Sequence, residues 1–166
     1  MPLLRGGCEL STVTDLTWDT LDAWGFDREE RPEDHMRQLP RDVTAVGSRD
    51  LMQLFTHYTE WKCYAAARLA DGECRVAEIK QDLKVTTNQA ALRATQEKTV
   101  AGRKAVASLD EQVQDAEQLL LNAEALTTAL RMVLQNSEDR RTLVSRELSR
   151  RQAEAPNVAR TSKWGT

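Results

Sequence analysis

The sequence predicts an all-α fold: two long helices forming a helical hairpin or coiled-coil-like bundle, with a short N-terminal helix, irregular tails and oligomeric assembly. Three observations carry that prediction. Between Pro40 and Pro156 there is no proline and only three glycines, Gly47, Gly72 and Gly102. Proline costs a helix interior about 3 kcal/mol and glycine about 1 relative to alanine, so long helices require such depletion. Apolar residues recur every three or four positions with charges between them, the spacing of helices that bury a seam rather than a broad face. Composition agrees: 30% charged and 5% aromatic over 166 residues leaves little for a large globular core. A thin helix pair buries little surface alone, and self-association is the usual remedy.

The chain divides into an acidic arm over 1–48, a long-helix oligomerisation domain over 49–152 and a flexible tail over 153–166. Residues 1–13 have no period and read as a tail. Thr14 is placed to cap a short helix from Asp15 to Trp24, with acids in its first turn and Gly25 just past its end. Leu16, Trp18, Leu21 and Trp24 fall on roughly one side of it. Residues 26–48 are polar, hold two prolines and read as a linker. Trp18, Leu21 and Trp24 then mark the arm as a docking peptide for another protein. The competing reading folds the arm back on its own helices or on a neighbouring subunit.

Ser48 caps the first long helix in this reading, with Asp50 behind it. Its seam runs Leu51, Leu54, Tyr58, Trp61, Ala65, Leu69, Gly72, Val76, Ile79 and Leu83, mostly in heptad steps. Small residues from Ala65 to Gly72 permit close helix approach. Unbroken to Ala94, this helix is about 69 Å long. Val85-Thr86-Thr87-Asn88 has poor helix propensity and Thr95 is a candidate cap, so a break or hairpin is placed within 85–98. One continuous helix is the alternative.

The second long helix is expected from Gln96 to Gln152. Its seam is Ala105, Leu109, Val113, Ala116, Leu120, Ala123, Leu126 or Thr127, Leu130, Val133 or Leu134, Ser137, Arg141, Val144 and Leu148. Leu51, Leu54, Tyr58, Trp61, Leu69, Val113, Leu120, Leu130, Val144 and Leu148 are the candidate oligomerisation seam.

Charge is unevenly distributed. Residues 1–48 carry ten acids against five arginines, whereas residues 136–166 carry seven bases against four acids. An acidic front and a basic rear suit a partner-binding arm and an anion site. The candidate nucleic-acid contacts are Lys62, Arg68 and Arg75 on the first helix and Arg103, Lys104, Arg140, Arg141, Arg146, Arg150 and Arg151 on the second. Arginines three, four and seven apart make a one-sided strip suited to phosphates. The plainer reading is a solvated face whose terminal cations complement the helix dipole.

Chemistry of other kinds finds no foothold. No glycine-rich phosphate loop, nucleophile elbow or HExxH occurs. Cys63 and Cys74 lie about 16 Å apart along one helix, too far to share a zinc ion. Three cysteines at no framework spacing read as reduced thiols of a cytoplasmic protein. No apolar run approaches the ~20 residues of a membrane span, and the N-terminus lacks a secretory core. A non-enzyme without cofactor or metal is expected.

Glu97-Lys98-Thr99-Val100, then Asp110 and Val113, then an apolar seam ending in the basic Arg140–Arg151 segment, resembles the UvsY-type recombination mediators of bacteriophages. His57-Tyr58-Thr59-Glu60-Trp61, opening a long mixed-charge helix, is similar to the same family's first long helix. The resemblance covers about residues 50–150 and leaves out the acidic arm and the tail. It implies a small, all-helical homo-oligomer, a ring or higher-order bundle, that binds single-stranded DNA. Such a protein helps load a RecA-like recombinase onto strands coated by single-strand-binding protein, in the cytoplasm of the bacterial host. By that resemblance Lys62, Arg68 and Arg75 are the nearest counterparts of the family's DNA contacts. This chain's first helix is less basic than the family pattern and its net charge is −3. The alternative expectation is a structural coiled-coil protein of the virion, its tail or its scaffold, with no DNA role.

Overall fold

The computed structural model describes residues 13–26, 28–94 and 96–164, with side chains from 14 to 154. The tail of residues 1–12 and the cap expected at Thr95 lie outside the described residues. Among the described residues the chain is all-helical: α1 (Val13–Ala23), α2 (Ser48–Arg93), α3 (Val100–Ala107) and α4 (Glu111–Trp164), with a 3-10 turn at Val43–Ala45. The two long helices pack against each other. The chain forms two compact units, each taking part of both.

One unit comprises α1, the part of α2 from Ala70, α3, and α4 as far as Thr127. Its α1 begins at Val13, so Thr14 lies in the first turn rather than capping it, and the Thr14 N–H donates to Glu78 at 3.2 Å. The helix ends as its sequence indicates. Gly25 takes φ +86°, the Gly25 N–H donates to the Asp22 carbonyl, and the Phe26 N–H reaches the Leu21 carbonyl. That six-to-one and five-to-two pair is the Schellman cap, and it needs a residue without Cβ penalty at Gly25.

The reversal starts within the expected 85–98 window, after Arg93, but the weak-propensity Val85-Thr86-Thr87-Asn88 segment stays helical inside α2, and the turn is built with an extra helix. Thr99 caps α3 by accepting the Gly102 N–H at 3.0 Å. The second long helix therefore does not start at Gln96. Asp110 interrupts it, accepting the Gln112 N–H at 3.0 Å and heading α4 with its carboxylate. This break removes Ala105 and Leu109 from the expected seam, and both are exposed. Ala90, Ala107 and Val113 form the buried core here, with Leu83 and Ala91 against them. From Val113 onward the expected seam is correct. Thr127 rather than Leu126 takes the inward position, its hydroxyl donating to the Ala123 carbonyl at 2.8 Å.

The other unit comprises residues 29–69 and α4 from Thr128. Leu51, Leu54, Tyr58 and Val144 are buried together, and Met36, Leu39, Val43, Val46, Phe55 and Leu148 pack round them. The linker is thus part of a core rather than a loose connection. Pro40-flanked residues 34–46 supply four of those apolar side chains, a signal hidden in the sequence by the prolines and acids between them. α4 continues past Gln152 and through Pro156 to Trp164. Proline removes one N–H from a helix, which leaves the preceding turn short of a hydrogen bond without ending it here.

Candidate nucleic-acid interface

In the unit built on the front of α2 and the rear of α4, Arg37 is a junction. Its N–H donates to His57 Nε2 at 3.0 Å, and its carbonyl accepts from Tyr58 Oη at 3.2 Å and Arg140 Nη1 at 2.9 Å. The Trp61 indole donates to the Asp34 carbonyl at 3.2 Å. A linker backbone with no strand or helix partner finds its hydrogen bonds in these side chains. Acceptance at Nε2 keeps the His57 proton on Nδ1, and burial pushes its pKa below the ordinary value, with Arg37 adding to the effect. Burial raises the Tyr58 hydroxyl above its usual range.

The basic strip of α4 lies beside this junction, and most of it is already engaged. Arg141 grips Glu138 through two nitrogens at 2.7 and 3.2 Å, and Lys62 reaches the same carboxylate at 2.7 Å. Those two cations, Arg141 first, pull Glu138 down to about 2. Glu147 accepts from Arg150 at 2.7 and 2.8 Å and from Arg151 at 2.7 Å, and these bonds, Arg150 first, hold it at about 2. Arg150 also binds Glu154 at 2.6 Å. Arg151 extends to Ser48 Oγ at 3.1 Å and the Thr44 carbonyl at 2.9 Å. Arg140 and Arg141 stand over the rings of Tyr58 and Phe55. Five of the ten expected DNA contacts therefore bind this chain's own groups here, and only Arg146 of this strip faces solvent with no acid paired to it among the described residues. Arginine pairs three and four residues apart are readable from sequence, and Glu138, Glu147 and Glu154 supplied that signal.

Arg68 stacks on Tyr64 at 5.3 Å. In the other unit Arg75 and Lys104 are exposed and pair with no acid among the described residues, while Arg103 donates to the Glu97 carbonyl at 2.9 Å. The expected docking residues separate there. The Trp18 indole donates to Asp71 and lies under the Arg28 guanidinium at 5.1 Å. Leu21 is half-buried, and Trp24 is exposed together with Leu16 and Phe26. Of the expected oligomerisation seam, Leu51, Leu54, Tyr58, Val113 and Val144 are buried within the chain, and Trp61, Leu69, Leu120, Leu130 and Leu148 are half-buried.

No protein-family model matches the chain, and comparison with curated proteins and with solved structures finds no match. Among the described residues no three His, Cys, Asp or Glu side chains gather to hold a metal ion, and no helix is long and apolar enough to cross a membrane. An open cleft of about 700 Å³ lies along Asp34, Arg37, Arg49, His57 and Glu60. Its two acids offset its two arginines, and His57 already spends Nε2 on Arg37. The outward cations are the groups left to meet an anion.

Proposed function

We propose that this chain is an oligomeric single-stranded-DNA-binding accessory protein of phage recombination, one that helps a RecA-like recombinase displace a single-strand-binding protein. The observation that supports it is the exposure of Arg75, Lys104 and Arg146 with no acid paired to them among the described residues. Each gives a weak phosphate contact, and an oligomer multiplies weak contacts along one strand.

A second reading, a structural helical protein of the virion or its assembly, draws on the neutralised arginines Arg141, Arg150 and Arg151. Fluorescence anisotropy with a labelled poly-dT oligonucleotide at two salt concentrations separates the two. The mediator reading expects binding that weakens steeply with salt. Arg75→Ala with Arg146→Ala lowers the salt slope by about 1.4, at about 0.7 per phosphate contact on a single strand. Absence of salt-sensitive binding by the assembled protein overturns the reading in favour of the structural one.

A further inference from the structure

Two apolar patches of opposite charge lie on the unit that contains α1 and α3. The first is the C-terminal end of α1 and its cap, where Trp24 is 70% and Phe26 61% exposed. Acids outnumber bases along it: among the described residues of this unit's first segment, Asp15, Asp19 and Asp22 stand against Arg28. The second is the reversal, where Leu92, Val100 and Leu109 are 74%, 72% and 75% exposed. Cations outnumber acids there by one, with Arg93, Lys98, Arg103 and Lys104 against Glu97, Asp110 and Glu111 over residues 92–111. Arg93 is paired with Asp110 at 3.4 Å, which leaves Lys98, Arg103 and Lys104 as the flanking cations.

We propose that the acid-rimmed Trp24–Phe26 face of one copy seats on the cation-flanked Leu92–Val100–Leu109 reversal of a second copy. Exposed aromatic and aliphatic side chains of this size favour burial, and the opposite charges select the pairing. The patches do not meet within one chain. Thr14 is held at Glu78 and Trp18 at Asp71, so α1 runs antiparallel to α2 and carries Trp24 away from the reversal. From Asp71 to Leu92 the helix rise alone covers about 31 Å. A second copy is therefore the occupant that satisfies both patches. Because the two patches differ, the contact is head-to-tail and repeats into a ring or a filament. This deepens the assembly half of the proposed function and is independent of DNA.

The test is sedimentation velocity of the full chain without DNA, over a concentration series. The wild type gains mass with concentration and loses it between about 50 and about 500 mM salt, where screening shortens from about 14 to about 4 Å. Trp24→Ser with Phe26→Ser, and separately Leu92→Ser with Leu109→Ser, leave helical content by circular dichroism unchanged, because these side chains are exposed. Each variant alone stays monomeric. Mixed in equal amounts they form dimers and nothing larger, since one supplies the only intact reversal and the other the only intact arm. Wild-type mass in both variants, a monomeric wild type, or a mixture that stays monomeric overturns the contact. An arm variant that keeps its mass but loses poly-dT binding also overturns it, and makes the aromatics a base-stacking surface instead. Normal assembly with no poly-dT binding by the wild type supports the contact while removing the DNA reading.

Discussion

The Arg37 N–H donates to His57 Nε2 at 3.0 Å, which ties the linker to α2 through an imidazole that must stay neutral. Burial and then Arg37 lower the His57 pKa, while Glu60 and Asp34 oppose them. A folded-state pKa below the unfolded value, 6.5, gives stability that is present above that value and lost as pH falls through the lowered one. Urea denaturation at pH 7.5 and 5.5 therefore shows a lower midpoint in acid. His57→Gln, which stays neutral, flattens that dependence. An unchanged pH profile in the variant speaks against His57 as its source.

Glu147 sits between Arg150 and Arg151 and is held at about 2. Its contribution is complete above its ordinary value of 4.5 and is lost as pH falls toward 2. Glu147→Gln keeps the shape and removes the charge, so thermal unfolding moves to lower temperature at pH 7 and the acid-side loss below pH 4.5 becomes shallower. The same variant frees Arg151 from one side of its contact with Thr44 and Ser48, which hydrogen exchange at residues 44–48 reads as faster opening.

Tyr58 is buried and donates to a carbonyl that Arg140 also serves. Tyr58→Phe removes one hydrogen bond and leaves the acceptor satisfied, a loss of about 1 kcal/mol in chemical denaturation. Tyr58→Ala opens a cavity among Leu51, Leu54 and Val144 and costs about 3–5 kcal/mol. Equal losses in the two variants argue against burial as the main role of the ring.

Gly102 lies in α3, where alanine gains about 1 kcal/mol of helix propensity. A Cβ there meets Glu97 Oε2 at 2.6 Å and Thr99 Oγ1 at 3.0 Å. Gly102→Ala alone is close to neutral, because displacement of the Glu97 carboxylate and the crowded Thr99 cap offset the propensity. In a Glu97→Ala background part of the gain returns, about 0.5 kcal/mol on a double-mutant cycle. Additive effects contradict the contact.

The buried seam was legible because it obeys one rule: Leu51 to Leu83 and Val113 to Leu148 keep helical spacing, and tertiary packing follows it. Boundaries were less so. Thr95 and Thr99 are equally good caps by residue type, and only packing around Ala107 and Val113 chooses between breaks. The helix expected to end at Gln152, before a tail over 153–166, instead continues through Pro156 to Trp164. The basic strip misled in an instructive way. Counting Arg140 to Arg151 measures charge, whereas Glu138 and Glu147 determine how much of it is available, and the linker carbonyls of Arg37 and Thr44 engage Arg140 and Arg151, which leaves Arg146. Those carbonyls carry no sequence signal, since every residue has one.

The contacts of Arg140 with Arg37 and of Arg151 with Ser48 and Thr44 join residues 103, 103 and 107 apart. The turn through α3 closes over a far shorter stretch, as where Arg93 meets Gln112 at a separation of 19. Loop-closure entropy grows with the length enclosed, and the short closure is made first. On a ribosome the residues around Arg37 emerge early and wait for the last quarter of the chain before their backbone groups find partners. Until then His57, Tyr58 and Leu51 face water, and the time between those two events sets how long a nascent chain is open to proteolysis or to a neighbour's helix.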